Sequence, residues 1–142
     1  MDISMNYFRL QHEVIKHEWP HEWLNADIAG GHVFFEGTVR ALHNDRPVIR
    51  LEFEAYEKMV YKELERISSR IKELHDVLNI GLIHRLGNVL PGETAVLAAV
   101  TSKHRGPAFE ACAMLMNELK STVPIWKKEV FADGEIWVSA HP

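Results

Sequence analysis

The sequence contains a single cysteine, Cys112, among its 142 residues. One thiol cannot form an intramolecular disulfide, and it excludes zinc and iron–sulfur sites that need several cysteines. No stretch approaches the roughly 20 apolar residues that span a bilayer, and the charged amino-terminal segment lacks the apolar run of a secretory signal. We therefore expect a cytoplasmic protein with no membrane partner.

The chain also lacks an excess of positive charge, since 16 Lys and Arg residues stand against 20 Asp and Glu residues, for a net charge of −4. Proteins whose whole surface binds nucleic acid or anionic lipid usually carry a basic excess. The glycine-rich phosphate loop, the dinucleotide fingerprint and the Gly-x-Ser-x-Gly motif are absent too. The common nucleotide-binding and hydrolase classes therefore have no support.

What is present is the composition of one globular domain over residues 1–142, with 46% hydrophobic and 25% charged residues. Two periodic patterns predict two main helices, the second beginning near Pro107 and ending before Pro124. The apolar stripe of the first helix consists of Val60, Leu64, Ile67, Ile71, Leu74 and Leu78. The apolar face of the second consists of Ala108, Cys112, Leu115 and Leu119.

Strands are predicted from β-branched and aromatic runs. They cover residues 33–40, 48–56, 80–86, 95–100, 125–131 and 136–139, with a polar loop at 41–47. Pro91-Gly92 and Asp133-Gly134 predict turns. Alternation places Ile49, Leu51 and Phe53 on one face, and Trp126 and Trp137 are expected in the core. The order of elements predicts an α+β fold with a mainly antiparallel sheet.

The positive charge is concentrated in residues 103–128, which carry a net charge of +3 while the rest of the chain carries −7. His104 and Arg105 precede the second helix, where free backbone N–H groups favour an anion. Lys120 and Lys127 flank the turn at Pro124, and an amine of lowered pKa can act as nucleophile or base. Each residue alone is typical of a solvated surface, so only their joint placement indicates a site.

Nine histidines invite a metal-binding interpretation, above all His12, His17 and His21. Pro20 interrupts the helix that would place His17 and His21 on one face, and no acidic ligand follows at a recognisable spacing. We therefore predict surface histidines and no metal site. Cys112 has apolar neighbours at helical spacing and is predicted to be a core residue and not a nucleophile.

Several motifs occur in one order along most of the chain. They are Phe35-Glu36-Gly37-Thr38-Val39-Arg40, Leu51-Glu52-Phe53-Glu54-Ala55-Tyr56, His84-Arg85-Leu86-Gly87, Thr101-Ser102-Lys103-His104-Arg105, Ala108-Phe109-Glu110-Ala111, and Leu119-Lys120 through Val123-Pro124-Ile125-Trp126-Lys127-Lys128-Glu129. Through them the chain resembles the large, catalytic subunit family of molybdopterin synthase.

The resemblance implies an α/β hammerhead-type fold and a homodimer that binds two small ubiquitin-like sulfur-carrier subunits, giving a heterotetramer. It also implies a sulfurtransferase of molybdenum cofactor biosynthesis. Sulfur from the thiocarboxylate at the carrier's C-terminal glycine would convert cyclic pyranopterin monophosphate into the dithiolene of molybdopterin. No metal or other cofactor is implied for this step.

The resemblance also implies site residues. Lys120 and Lys127 match the family's catalytic lysines. The implied substrate-binding set is Thr38, Val39, Arg40, His104, Arg105, Lys120, Lys127, Lys128 and Glu129. The sequence departs from the family at Ala41 and in the loop that follows to Pro47, and His141 stands near the position of an arginine that crosses the dimer in some members. Roles are therefore not carried over to these positions.

Two other functions remain open on the residues alone. A non-catalytic module that holds RNA or a nucleotide would use the basic segment with Trp126 as a stacking platform. A dimeric scaffold that has lost its activity is the other alternative, although Arg40, His104, Arg105, Lys120 and Lys127 are all retained.

Overall fold

The computed structural model describes residues 6–19, 22–24 and 27–139. The strands are β1 Asn6–Gln11, β2 Gly31–Thr38, β3 Leu42–His43, β4 Arg46–Ala55, β5 Asn79–Arg85, β6 Gly87–Val89, β7 Thr94–Ser102, β8 Ile125–Phe131 and β9 Gly134–Ser139. The helices are α1 Glu57–Leu74 and α2 Arg105–Thr122, with a short 3-10 turn at Glu22–Leu24. No helix within these described ranges is long and apolar enough to cross a membrane.

The strands form two sheets. The first has the order β1-β5-β7-β2, in which only β1 and β5 run parallel, and the second has the order β3-β4-β8-β9 with β6 also paired to β4. This arrangement confirms the predicted α+β fold with mainly antiparallel strands and two main helices. The strand β1 was not predicted, and β2 and β4 lie in different sheets although the loop between them is short.

The core lies between the helices and the sheets. Helix α2 packs on β7 and β2, while α1 contacts α2 and β1. Val60, Leu64, Ile67 and Ile71 of α1 are fully buried, as their spacing predicts. Ala108, Cys112, Leu115 and Leu119 of α2 are buried as well, which confirms that Cys112 is a core residue.

The predicted stripe of α1 is wrong at its end. Leu74 is 61% exposed, and the helix stops there because His75 adopts an extended backbone. Leu78 lies beyond the helix, where its backbone N–H donates to the carbonyl oxygen of Thr101 at 2.7 Å. The bond to the sheet thus replaces the last helical turn that the periodicity predicts.

A β-bulge overturns the predicted face of β4. Val48 pairs with Phe131 and Arg50 pairs with Val130, so Ile49 is an extra residue without an opposite partner. Val48 is therefore buried in place of Ile49, which is 47% exposed. Beyond the bulge, Phe53 faces the core as predicted.

Trp126 was expected in the core but is 38% exposed. It lies opposite Glu54 on β4, on the outer face of the second sheet, because neighbouring residues of β8 face opposite sides. The side chain of Trp137 and all of His141 fall outside the described part of the chain.

A matched pair of substitutions separates buried from exposed positions of α1. Leu64→Ala should lower the free energy of unfolding by about 2–5 kcal/mol because it leaves a cavity in a fully buried site. Leu74→Ala removes the same atoms from an exposed site and should change it by less than about 0.5 kcal/mol. Urea unfolding of both variants measures the difference, and equal losses would contradict the exposure of Leu74.

Candidate functional site

Two lysines meet at the junction of α2 with the second sheet. Lys120 lies in the last turn of α2, which ends at Thr122 shortly before Pro124, and Lys127 follows on β8. Both line a cavity of about 200 Å³, which we call the lysine cleft. Its other lining residues are Phe35, Gly37, Thr38, Val39, Leu51, Phe53, His84, Ala95, Val96, Met116 and Leu119.

A smaller cavity of about 150 Å³ adjoins the lysine cleft, and we call it the arginine recess. It is lined by Thr38, Val39, Arg40, His43, Val48, Leu51, Lys127 and Glu129. Four of these residues also line the lysine cleft, so the two cavities lie side by side and together make one candidate site. Its size is near the lower end of small-molecule sites, which range from about 300 to 1,000 Å³.

The register of β8 against β4 decides which charges enter this candidate site. Lys127 lies opposite Phe53 and Glu129 lies opposite Leu51, so both side chains face inward. The Lys127 Nζ atom lies 3.5 Å from Oε1 of Glu129, whose side chain is only 5% exposed. The buried carboxylate is thus a counter-charge that holds Lys127 at the cavity wall.

Lys128 is separated from the other implied site residues. It lies on the opposite face of the sheet, and its Nζ atom is 3.4 Å from Oε2 of Glu52. Glu52 also lies 3.3 Å from Nε of Arg50. The side chain of Lys128 therefore belongs to a charged cluster on the outer face and does not line the lysine cleft or the arginine recess.

The backbone that carries Arg40 is fixed by the neighbouring turn. The N–H of Val39 donates to the carbonyl oxygen of Glu93 at 3.0 Å, and the N–H of Gly92 donates to that of Val39 at 2.8 Å. Gly92 has a φ of +88° in a turn closed by a 3.0 Å bond from the N–H of Glu93 to the oxygen of Leu90. This is the turn that Pro91-Gly92 predicts, and it anchors the chain at the edge of the recess.

His84 is a buried wall residue of the lysine cleft. Burial lowers the pKa of its imidazole to about 4, although a hydrogen bond to the backbone of Arg85 opposes this shift. Nδ1 donates to the carbonyl oxygen of Arg85 at 2.7 Å, and the edge of the ring packs on Phe53 with a centroid distance of 4.9 Å. The ring is therefore neutral at neutral pH and adds no charge beside the lysines.

His104 and Arg105 lie at the other end of α2 from Lys120. They are exposed at its first turn, and an α-helix rises 1.5 Å per residue, so Arg105 is about 22 Å from Lys120 along the axis. One copy of the chain thus gathers Thr38, Val39, Arg40, Lys120, Lys127 and Glu129, and it leaves His104 and Arg105 apart from them.

Two residues of the site were not predicted from the sequence. His84 belongs to a quoted motif, and a histidine that directly follows the apolar run of residues 80–83 in a predicted strand is the signal that could have marked it. His43 had no such signal, because its place in the recess depends on a two-residue strand inside the predicted loop.

Other cavities lack this combination of groups. Two larger ones, of about 480 and 560 Å³, flank Trp19 on the other side of the first sheet, and neither contains Lys120, Lys127 or Arg40. Within residues 6–19, 22–24 and 27–139, no three His, Cys, Asp or Glu side chains group closely enough to hold a metal ion. His21 of the rejected histidine cluster lies outside these ranges.

Comparison with known proteins gives the family. A family model described as MoaE protein matches residues 10–122. The chain belongs to the MoaE family. A relative from Arabidopsis thaliana, named molybdopterin synthase catalytic subunit, is 43% identical over 116 residues. That match covers 82% of this chain and 59% of the relative, so the chain spans less than two thirds of the plant protein's length.

Solved structures of MoaE-like proteins share the fold. Molybdopterin synthase from Staphylococcus aureus matches with a TM-score of 0.80 and 31% identity, covering 98% of both chains. A complex of subunits 1 and 2 of the molybdopterin-converting factor from Helicobacter pylori contains a chain that matches with a TM-score of 0.72 and 25% identity, over 96% of this chain and 93% of that one. These matches confirm the resemblance to the molybdopterin synthase catalytic subunit family. They do not support the nucleotide-binding or scaffold alternative.

The buried imidazole of His84 predicts a loss of stability in mild acid. Its folded-state pKa of about 4 is below the value of 6.5 for a free histidine, so between these values the unfolded chain binds a proton that the folded chain excludes. The free energy of unfolding should therefore fall by about 3 kcal/mol from this group as the pH drops from 6.5 to 4. Urea unfolding of wild type and His84→Gln at pH 7.5 and 4.5 measures it.

Two readouts follow from this expectation. The difference in stability between the two pH values should be smaller in His84→Gln than in wild type, and parallel pH dependences would contradict the assignment. If the variant does not fold, an NMR titration of the wild-type ring decides, because the neutral form should persist at pH 5.

Proposed function

We propose that this chain transfers sulfur from the C-terminal thiocarboxylate of a small ubiquitin-like carrier subunit to cyclic pyranopterin monophosphate, forming the dithiolene of molybdopterin. The observation that carries the proposal is that Lys120 and Lys127 line one cleft, which lies beside the recess of Arg40. These are the positions that the family resemblance marks as catalytic and substrate-anchoring.

Electrostatics supports this assignment. The thiocarboxylate and the phosphate are both anions, and bringing two like charges together is unfavourable unless cations lie between and around them. Lys120, Lys127 and Arg40 supply such cations within a chain whose net charge is −4. A guanidinium also binds phosphate through paired, charge-assisted hydrogen bonds, which suits Arg40 to anchor the substrate.

The geometry supports a division of roles between the two lysines. We assign substrate activation and proton transfer to Lys127, because Glu129 beside it can accept a hydrogen bond from the ammonium and fix its position. We assign Lys120 to the junction where the carrier tail meets the substrate, since it lies at the exposed end of α2. Thr38 and Val39 form the shared wall, and the side chain of Lys128 would contribute only by holding Glu52.

The carrier is the partner for which the comparisons offer support. The Helicobacter pylori neighbour was solved as a complex of subunits 1 and 2 of the molybdopterin-converting factor. We propose that this chain binds a corresponding small subunit, with the carrier's C-terminal tail entering the lysine cleft. With two copies of each subunit, the assembly would be a heterotetramer.

A homodimer would explain why His104 and Arg105 are far from the lysines. Within the described residues no strand pairs with the outer edge of β2, and Phe34, Phe35 and Phe109 beside it are 51%, 43% and 62% exposed. They line an apolar groove of about 370 Å³ between β2 and α2. An open strand edge with exposed aromatic side chains is the kind of surface that a second copy covers.

A two-fold axis at the middle of β2 would complete the site. Arg105 lies beside the first residue of β2, because a Cβ atom built on Gly31 would be 3.7 Å from the Arg105 Cα atom. Arg40 lies two residues after the last residue of β2. Antiparallel pairing of two copies of β2 places the start of one strand against the end of the other. The strand β2 spans about 23 Å, which is close to the distance of about 22 Å between Arg105 and Lys120 along α2. His104 and Arg105 of one copy would therefore reach Arg40 of the other copy.

Reconstitution tests the proposed reaction. The purified chain, mixed with a thiocarboxylated carrier and cyclic pyranopterin monophosphate, should form molybdopterin, and no product would refute the proposal. Lys127→Ala should reduce turnover by at least about 100-fold because an inward-facing cation is lost. Lys128→Ala changes the neighbouring lysine on the outer face and should reduce turnover much less. Equal losses of turnover would contradict the assignment of the catalytic role to the inward-facing Lys127.

Mixing two inactive variants tests the composite site. If Arg105 serves the pocket of the other copy, unfolding and refolding Arg105→Ala together with Lys127→Ala should restore about a quarter of wild-type turnover, because half of the dimers are mixed and each has one intact site. If both residues act within one copy, or if the protein is monomeric, activity should remain as low as in the separate variants. Sedimentation of the refolded mixture checks that dimers formed.

A further inference from the structure

The segment that departs from the family pattern forms a rigid hairpin. Leu42 and His43 pair with Pro47 and Arg46, and Asn44 and Asp45 between them have φ values of 49° and 64°. Two successive residues of positive φ are the mark of a type I′ turn, which joins strands tightly. The N–H of Val48 closes the hairpin by donating to the carbonyl oxygen of Ala41 at 2.8 Å.

The hairpin is fixed to the second sheet. The guanidinium of Arg46 lies 3.8 Å above the ring of Phe131, and its Nη2 atom donates to Oδ1 of Asp133 at 2.7 Å. The N–H of Ala132 donates to the carbonyl oxygen of Pro47 at 3.0 Å. The His43 ring lies 6.3 Å from that of Phe131. These contacts place the imidazole at a defined point of the arginine recess.

The imidazole of His43 contacts the guanidinium of Arg40. Nη2 of Arg40 and Nδ1 of His43 are 3.2 Å apart. A guanidinium keeps all its protons and has no acceptor, so Arg40 must donate and Nδ1 must be the unprotonated nitrogen. The proton of the neutral ring is then on Nε2.

We propose that His43 is a positioning residue, whose Nδ1 atom holds the Arg40 guanidinium at the arginine recess in the orientation that receives the anionic end of the substrate. The proposal rests on the proposed function, because it names the residue that orients the substrate anchor of that same site. A long, exposed arginine side chain loses much conformational entropy when it is immobilised. An acceptor on a rigid hairpin reduces that loss upon binding, since the side chain is ordered beforehand.

Two substitutions at His43 separate the acceptor from the ring. His43→Phe keeps an aromatic ring beside Phe131 but removes the acceptor, so KM for cyclic pyranopterin monophosphate should rise about 5- to 10-fold with kcat within about twofold. His43→Asn places an amide oxygen where Nδ1 lies and should keep KM within about twofold of wild type. An unchanged KM in His43→Phe, or an equal rise in both variants, would overturn the proposal.

A double-mutant cycle shows whether His43 acts through Arg40. In an Arg40→Ala background the substitution His43→Phe should have no further effect on KM, because the group that it orients is absent. The same increase in both backgrounds would overturn the positioning role. Thermal unfolding of each variant identifies losses that come only from a damaged fold.

A spectroscopic measurement tests the contact without using the reaction. Nitrogen-15 NMR of the wild-type chain at pH 8 should show His43 with Nε2 protonated and Nδ1 bare, and Arg40→Ala should shift this ring toward a mixture of tautomers. A wild-type ring protonated on Nδ1 would overturn the proposal. If the wild-type chain makes no molybdopterin while the tautomer is as expected, the proposed function fails and the contact between Arg40 and His43 stands.

Discussion

The antiparallel pairing of β4 with β8 is the constraint on which the site depends. With Phe53 opposite Lys127 and Leu51 opposite Glu129, one lysine and its carboxylate partner face the cavity, and Lys128 faces away. A slip of one residue would exchange the two faces, because side chains alternate along a strand. The fully buried Ile125 at the start of β8 and the nearly buried Phe131 at its end make such a slip costly. Core packing thus selects which cation reaches the cleft.

Local sequence patterns predict much of the fold. The helical periodicity predicts α1 and α2, and Pro91-Gly92 and Asp133-Gly134 predict turns at positions where the structure has them, because these signals are local. The errors arise where distant partners decide. Ile49 is expelled by a bulge that only the pairing with β8 reveals, and the end of α1 is set by a bond from Leu78 to Thr101. The strand β1 forms because it pairs with β5, about 70 residues away in sequence.

The site residues also divide into those that local sequence predicts and those that depend on distant parts of the chain. Lys120 and Lys127 could be placed together from the sequence, because a helix that must end at Pro124 returns the chain at once to a strand. The resemblance supplied Arg40, Thr38 and Val39, which the fold brings to the same candidate site. His43 and His84 were not predicted, since their roles depend on a hairpin register and on the burial of one face of β5. The separation of Arg105 from Lys120 likewise follows from the length of α2 and from no motif.

Burial of Cys112 has a consequence for sulfur chemistry. It lies 5% exposed on the inner face of α2, and burial raises the pKa of its thiol above the usual value. A thiol is a weak nucleophile, whereas the thiolate attacks acyl groups and exchanges with sulfur compounds readily. Activated sulfur brought to this protein would therefore meet no competing thiolate among the described residues. In the proposed reaction, Cys112 would therefore not compete for the carrier's acyl sulfur, because the thiol is nearly buried and stays protonated.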